Sequence, residues 1–275
     1  MKCIAGCSRL YDKNLSVRTG GKIGVTSLKS AREIELMQQA GIVVAEVLQL
    51  LREHTKPGVT TAELDKAAQA HTIAKGATCA FKGYHGFPAS VCISVNDEVV
   101  HGIPGSRRIV DGDVVSLDFG VKLNNYFADA AITVLVGNVT EEARKLVQVT
   151  HESLERAIEK MVPGNRLSDI GRTVQEYVEG SGFSVVRQFV GHGIGRKMHE
   201  DPKVPNYVEE RGEGTDLVFR EGLVLAVEPM VNCGTYEVKI LKNGWTVVTK
   251  DGRLSAHSEH TIAVTGQGPR VLTQI

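Results

Sequence analysis

The sequence has no surplus of either charge: 32 Lys and Arg balance 32 Asp and Glu, for a formal net charge of zero. Nothing in the bulk charge therefore points to nucleic acid or to an anionic membrane surface. No apolar run approaches the roughly 20 residues of a membrane span. The opening MKCIAGCSRL carries one Lys and a five-residue apolar patch, too short for a secretory signal or a lipoprotein leader. Cysteine is sparse: Cys3, Cys7, Cys79, Cys92 and Cys233 are odd in number and contain no CxxC pair. That excludes a regular disulfide framework and reads as reduced thiols in a cytoplasmic protein. Cys3 and Cys7 have no other Cys or His near them in sequence with which to build a metal site. What the chain does have is length and apolar content. Its 275 residues, 42% hydrophobic, can bury a substantial core in one or two domains.

The most informative stretch is residues 111–137, DGDVVSLDFGVKLNNYFADAAITVLVG. It predicts a hairpin of two apolar strands, Asp113–Val121 and Tyr126–Val136, joined by a tight turn at Leu123-Asn124-Asn125. Asp118 and Asp129 interrupt the apolar runs, and Asp is disfavoured inside a strand. With the turn centred on Leu123-Asn124, the two acids face each other across the hairpin. Like charges so placed repel, so either one carboxyl is protonated or a cation lies between them. The alternative is a solvated sheet face, which the apolar flanks disfavour.

The remainder of the chain follows a plan used twice. Residues 1–27 are polar and aperiodic, an N-terminal extension. Ser30…Glu33 is a capping box that opens a helix with apolar spacing from Ile34 to Leu51, ended by Pro57-Gly58. Thr60…Glu63 opens a second helix, to Ala74, closed by Gly76. A loop containing Tyr84-His-Gly-Phe-Pro88 and strands at Ser90–Val95 and Glu98–Ile103 lead into the hairpin. In the second half, a helix over Glu141–Met161 stops at Pro163-Gly164, and a shorter one with Ser168 as its cap ends at Gly182. An apolar strand, Phe183–Val190, precedes Gly191-His-Gly-Ile-Gly195, the counterpart of the Tyr84–Pro88 loop. DGDVVSLD, ending at Asp118, matches EGLVLAVE, ending at Glu228; FADAAITV, carrying Asp129, matches SEHTIAVT, carrying Glu259. An internal similarity about 110 residues long exceeds any solenoid period. It predicts two related halves, 28–138 and 139–266, sharing one sheet with helices on one face: an α+β architecture.

Asp118, Asp129, Glu228 and Glu259 would then converge. Four buried acids cannot all ionise without counter-charge, because burial and mutual repulsion both favour the neutral form. Two divalent cations would offset them, and a water between such ions ionises near neutral pH. His192, between glycines that let the backbone turn sharply, is the candidate nitrogen ligand. An oxygen-rich set with one imidazole suits Mn, Fe or Co better than a sulfur-rich zinc site.

The segments YHGFPASVCISVNDEVVHGIP (84–104), DGDVVSLDFGVKLNNYFADAA (111–131), GHGIGRKMHEDP (191–202), VLAVEPMVNCG (224–234), NGWTVVTKDG (243–252) and SAHSEHTI (255–262) together resemble the type I methionine aminopeptidases. The resemblance covers residues 28 to 274. It implies the pita-bread metallopeptidase fold: two pseudo-symmetric halves sharing a curved, mainly antiparallel sheet with helices on its outer face, as one catalytic domain over 28–275. It implies two divalent ions per chain, drawn from Co, Mn, Fe, Zn and Ni. Asp118 would chelate one, Asp129 and Glu259 would bridge both, and His192 and Glu228 would complete the second site. The implied reaction removes the N-terminal Met of nascent proteins, with a preference for a small second residue. A bridging water attacks the Met carbonyl, and Glu228 shuttles the proton. His101 would contact the scissile amide nitrogen and His199 the developing oxyanion. Tyr84, Phe87, Cys92, Met198 and Trp245 would line the methionine pocket. Phe81 stands where the family often has a smaller Cys. His85 and His257 are expected beside the site, whereas His54, His71 and His151 fall in helical patterns without a role. Arg107-Arg108 reads as a solvated turn. The resemblance further implies a cytoplasmic monomer that meets the ribosome transiently. Two rivals follow: a proline-type aminopeptidase or dipeptidase on the same fold, which usually carries a large extra N-terminal domain, and a binding protein that has lost catalysis.

Overall fold

Helix starts are set by side chains that satisfy the free amides of a first turn. In the computed structural model, which describes residues 26–208 and 216–274, Ser30 accepts from the Glu33 amide and Glu33 accepts from the Ser30 amide, opening α1 (Ala31–His54). Thr60 and Glu63 repeat that exchange at α2 (Thr61–Ala74). Thr140 caps α3 (Glu141–Glu159) through the Ala143 amide. In α4 (Leu167–Gly180) the expected cap is corrected: Arg166 is the extended residue before the helix, and its amide is held by Asp169 at 2.8 Å. Ser168 lies inside the first turn because its hydroxyl is taken by Asp216, at 2.6 Å. The extension expected at 1–27 lies outside the described residues save for Thr26 and Ser27, and so do Cys3 and Cys7.

The first half contributes strands β1 (Thr78–Cys79), β2 (Cys92–Val95), β3 (Glu98–Val100), β4 (Val114–Leu123) and β5 (Tyr126–Leu135). The second half adds β6 (Ser184–Val185), β7 (Gly191–Gly193), β8 (Glu200–Val204), β9 (Val224–Val227), β10 (Met230–Asn232), β11 (Val238–Ile240), β12 (Val247–Thr249), β13 (Ser255–His257), β14 (His260–Thr265) and β15 (Gly268–Val271). Every strand pairing described is antiparallel. Strands β1, β4, β2 and β5 pair in one half, and β15-β14-β9-β7-β8 in the other. The halves join where Ala131 and Glu259 exchange both backbone hydrogen bonds, at 3.2 and 2.9 Å. Each half has its own apolar core. One packs α1 and α2 against β2, β4 and β5; the other packs α3 and α4 against β9 and β14.

Three expectations are corrected here. The hairpin turns on Asn124-Asn125, both with positive φ (51° and 65°), one residue later than a turn at Leu123-Asn124. The register moves with it: Asp118 pairs with Ala131, and Asp129 with Gly120. The apolar run Phe183–Val190 is a strand only at Ser184–Val185. The glycines around His192 are there for close approach between strands rather than for a sharp turn. A Cβ on Gly191 would lie 2.3 Å from the Ala226 carbonyl oxygen, and one on Gly193 2.4 Å from that of Asp201. Finally, α1 is long and apolar enough to cross a membrane by length and composition, with a mean hydropathy of 1.4 over 18 residues. Its apolar stripe, Ile34 to Leu51, is buried in the fold against β4 and β5.

Candidate metal centre

The join between the halves is where the acidic strands meet. Asp118 and Asp129 project from β4 and β5. Glu259 immediately precedes β14, and Glu228 immediately follows β9. Because side chains alternate along a strand, Asp118 and Asp129 share a face although they are not direct partners. His192 on β7 pairs with Ala226, two residues before Glu228, and its Nε2 lies 3.6 Å from Glu228 Oε1. The other ring nitrogen, Nδ1, is 2.9 Å from the Gly193 carbonyl oxygen. Donating there fixes the tautomer and leaves the Nε2 lone pair facing the acids. Asp129, His192 and Glu259 each place a potential ligand atom within 4.8 Å of the other two.

The electrostatics are those of acids without counter-charge. Burial, then Asp129 and Glu228, raise Asp118 well above the carboxylate range; burial raises Asp129 to about 7. Burial with Asp129 nearby raises Glu228, and burial with Asp129, Glu228 and Asp118 raises Glu259. Burial lowers His192 to about 4, so its imidazole is neutral and able to ligate. Among the described residues lining the cavity there is no Lys or Arg. Asp118 Oδ1, Asp129 Oδ1 and Glu259 Oε1 are buried with no protein hydrogen-bond partner. Buried polar atoms rarely stay unpaired, so a carboxylate-rich set with orphaned oxygens and one oriented imidazole fits hard divalent ions.

Two further histidines border this group. The His199 ring lies 4.1 Å from that of His192, centroid to centroid, and its Nδ1 is 2.8 Å from the Tyr84 hydroxyl. Burial, then the imidazoles of His192, His101 and His85, lower it to about 2. His101 follows β3 with a positive φ of 59°, packs edge-on to Phe189 at 5.6 Å, and is lowered to about 4 by burial. The apolar wall is Phe81, Tyr84, Phe87, Cys92 and Trp245, with Phe87 and Trp245 edge to face at 5.1 Å. Trp245 is both a core aromatic and a lining residue.

The other predicted residues fall at different distances. Met198 is buried behind the wall: a Cβ on Gly120 would meet its Cε at 3.0 Å and Phe81 Cε1 at 2.9 Å. Phe81 thus takes space that the glycine leaves open. His257 is buried, with neither ring nitrogen partnered, and does not line the cavity. His85 is exposed, edge-on to Tyr84 at 4.4 Å. His71 pairs with Glu46 at 3.2 Å and His151 with Glu155 at 3.4 Å, while His54 Nδ1 is 2.7 Å from the Leu50 carbonyl oxygen. Arg107 and Arg108 are exposed. Sequence reasoning missed three residues that hold the site. Thr261 Oγ1 accepts from the Asp129 amide and donates to its carbonyl, at 3.0 and 2.8 Å. Asn206 donates to the Glu228 carbonyl at 2.9 Å, and Phe189 packs on His101. Thr261 could have been found, since it lies two residues after Glu259 on the same strand face. Asn206 gives no local signal.

A model of metallopeptidase family M24 matches residues 35–266. The chain belongs to that family. The architecture is the family's pita-bread fold. The methionine aminopeptidase of Clostridium perfringens is 56% identical over 248 residues, 90% of this chain and 98% of that one. The crystal structure of the Thermotoga maritima methionine aminopeptidase superposes with a TM-score of 0.88 at 43% identity, covering 91% of this chain and all of that one. These relatives place the chain in the methionine aminopeptidase branch of M24. The Xaa-Pro dipeptidase of Bacillus anthracis shares the fold at 21% identity and a TM-score of 0.71, but the match covers 62% of its length.

Proposed function

We propose that this chain is a dinuclear metallo-exopeptidase that removes N-terminal Met from newly made polypeptides, preferring a small second residue. The observation that carries the reading is the juxtaposition of an apolar, aromatic-walled pocket with converging acids and imidazoles in one cavity. Asp118 would hold one ion, Asp129 and Glu259 both, and His192 and Glu228 the other. Such ions, when bound, supply Lewis acidity and make a water molecule acidic enough to attack a carbonyl at neutral pH.

The protein's own groups do the rest. Phe81, Tyr84, Phe87, Cys92 and Trp245 take the methionine side chain and exclude water, which strengthens every polar interaction in the cavity. Burial first, and Asp129 second, favour the neutral form of Glu228; the counter-charge of bound ions would ionise it, and as a carboxylate it accepts the proton of the attacking water and hands it to the departing amine. The Tyr84 hydroxyl donates to His199 Nδ1, leaving Nε2–H to meet the carbonyl oxygen as negative charge develops. His101, neutral by burial, contacts the scissile amide nitrogen. Residues 28–275 act as one catalytic unit with pseudo-repeat halves 28–138 and 139–266. We place the enzyme in the cytoplasm as a monomer in transient contact with ribosomes, in keeping with the free thiols of Cys79, Cys92 and Cys233.

Hydrolysis of Met-Ala-Ser by the purified chain, with and without added Mn2+, Fe2+ or Co2+, tests the reading. Metal-dependent release of Met, abolished in Asp118→Ala and in Glu228→Gln with circular dichroism unchanged, is the expected result. Substantial turnover by either variant would end it.

A further inference from the structure

His199 is supported from two sides, and the mechanism uses only one of them. On the cavity side stands Tyr84. Behind the loop lies an ion pair between Lys29 Nζ and Glu200 Oε2, 2.7 Å apart, with side-chain exposures of 5% and 16%. Among the described residues, no other Lys or Arg is buried. Exposed ion pairs contribute little, whereas a buried one fixes geometry because neither partner can leave without stranding the other.

Each end of the pair is itself anchored. The Lys29 amide donates to the Gly222 carbonyl at 2.6 Å, and its Nζ also donates to the Ser27 carbonyl at 3.0 Å. Gly222 lies in the turn leading into β9, the strand that Glu228 immediately follows, and a Cβ there would sit 2.5 Å from the Lys29 carbonyl oxygen. At the other end, Glu200 Oε1 accepts from the Lys197 amide at 3.1 Å, so one carboxylate binds both the lysine and the turn preceding His199. The loop backbone passes close to the lysine stem: a Cβ on Gly195 would lie 2.5 Å from Lys29 Cε. Burial disfavours the charged form of Glu200, yet the Lys29 hydrogen bond and the Lys197 amide hold its carboxyl below the usual range.

We propose that Lys29 and Glu200 are positioning residues for His199: the pair ties the 195–199 loop to the segment entering α1 and so fixes where His199 points in the cavity. This rests on the assignment of His199 to the carbonyl oxygen. It makes the segment just before α1 part of the catalytic scaffold, although none of it reaches the cavity.

The test is a double-mutant cycle on the full chain loaded with Mn2+, using Met-Ala-Ser. Lys29→Met/Glu200→Met removes both charges and leaves neither unpaired. It should lower kcat about tenfold, keep KM within about twofold, and leave Mn2+ affinity measured by calorimetry unchanged. In a His199→Ala background, itself slower by roughly 100-fold, the same pair of substitutions should change kcat less than about twofold. Lys29→Arg, which keeps the charge, should retain about half of kcat or more. Equal losses in both backgrounds, or a kcat loss that tracks lost Mn2+ affinity or lost activity in Lys29→Arg, would reduce the pair to a general structural role and overturn the proposal. A His199→Ala enzyme as fast as its parent would instead remove the assignment of His199, a distinguishable failure that also takes the proposal with it.

Discussion

Asp118 and Asp129 stand on the same face of one hairpin, two residues out of register, Asp118 opposite Ala131 and Asp129 opposite Gly120. Direct opposition would have set the two carboxyls against each other across the ladder. The diagonal offset spaces them, and the room left by the glycine opposite Asp129 is filled by Phe81 and Met198.

Two carboxylates so placed repel in the absence of a cation. In chelator at pH 8, Asp129→Asn should therefore be more stable than the parent, by on the order of 1–3 kcal/mol in urea unfolding. With saturating Mn2+ the order should reverse, because the parent gains binding free energy that the variant lacks. An Asp129→Asn protein less stable than its parent in chelator would show that the acids are satisfied without ions.

Tyr84→Phe removes the hydroxyl next to His199 Nδ1 and leaves the ring in the wall. It should lower kcat for Met-Ala-Ser by about tenfold with KM nearly unchanged. A rise in KM alone would assign Tyr84 to substrate binding rather than to holding His199.

At the start of α1, Glu33 accepts from the Ser30 amide and, at 2.7 Å, from the Tyr126 hydroxyl. The Ser30 backbone bond comes first among the causes that lower its carboxyl to about 2. A carboxyl depressed in the folded state stabilises above its unfolded value, and that contribution is lost as pH falls through the folded value. Glu33→Gln should thus cost about 1 kcal/mol at pH 7, and the difference from the parent should shrink between pH 4.5 and about 2 in thermal melts. A difference independent of pH would make the contribution one of shape alone.

Much of this was legible in the sequence, for identifiable reasons. Capping boxes at Ser30 and Thr60 are local, so the helix starts could be read directly. Asp118 and Asp129 could be found because strand interiors disfavour Asp, and Glu228 and Glu259, which flank β9 and β14, because the repeated segments align them with that pair. The hairpin turn lies one residue later than expected, and the pairing shifts by two, because two adjacent Asn both adopt positive φ and composition does not say which pair forms the turn. Ser168 looked like a cap until its hydroxyl was claimed by Asp216, 48 residues away. The support of Glu228 by Asn206, and of the His199 loop by Lys29, depends on contacts between distant segments, where no local pattern can betray them.

The account depends most on the join between the halves holding cations. Calorimetric titration of the chelator-treated full chain with Mn2+, paired with a count of bound metal, addresses it directly. The account predicts two ions per chain at saturation, a higher melting temperature, and loss of binding in Asp129→Ala and Glu259→Ala. A protein that binds no divalent ion, or binds one equally well in both variants, would contradict it.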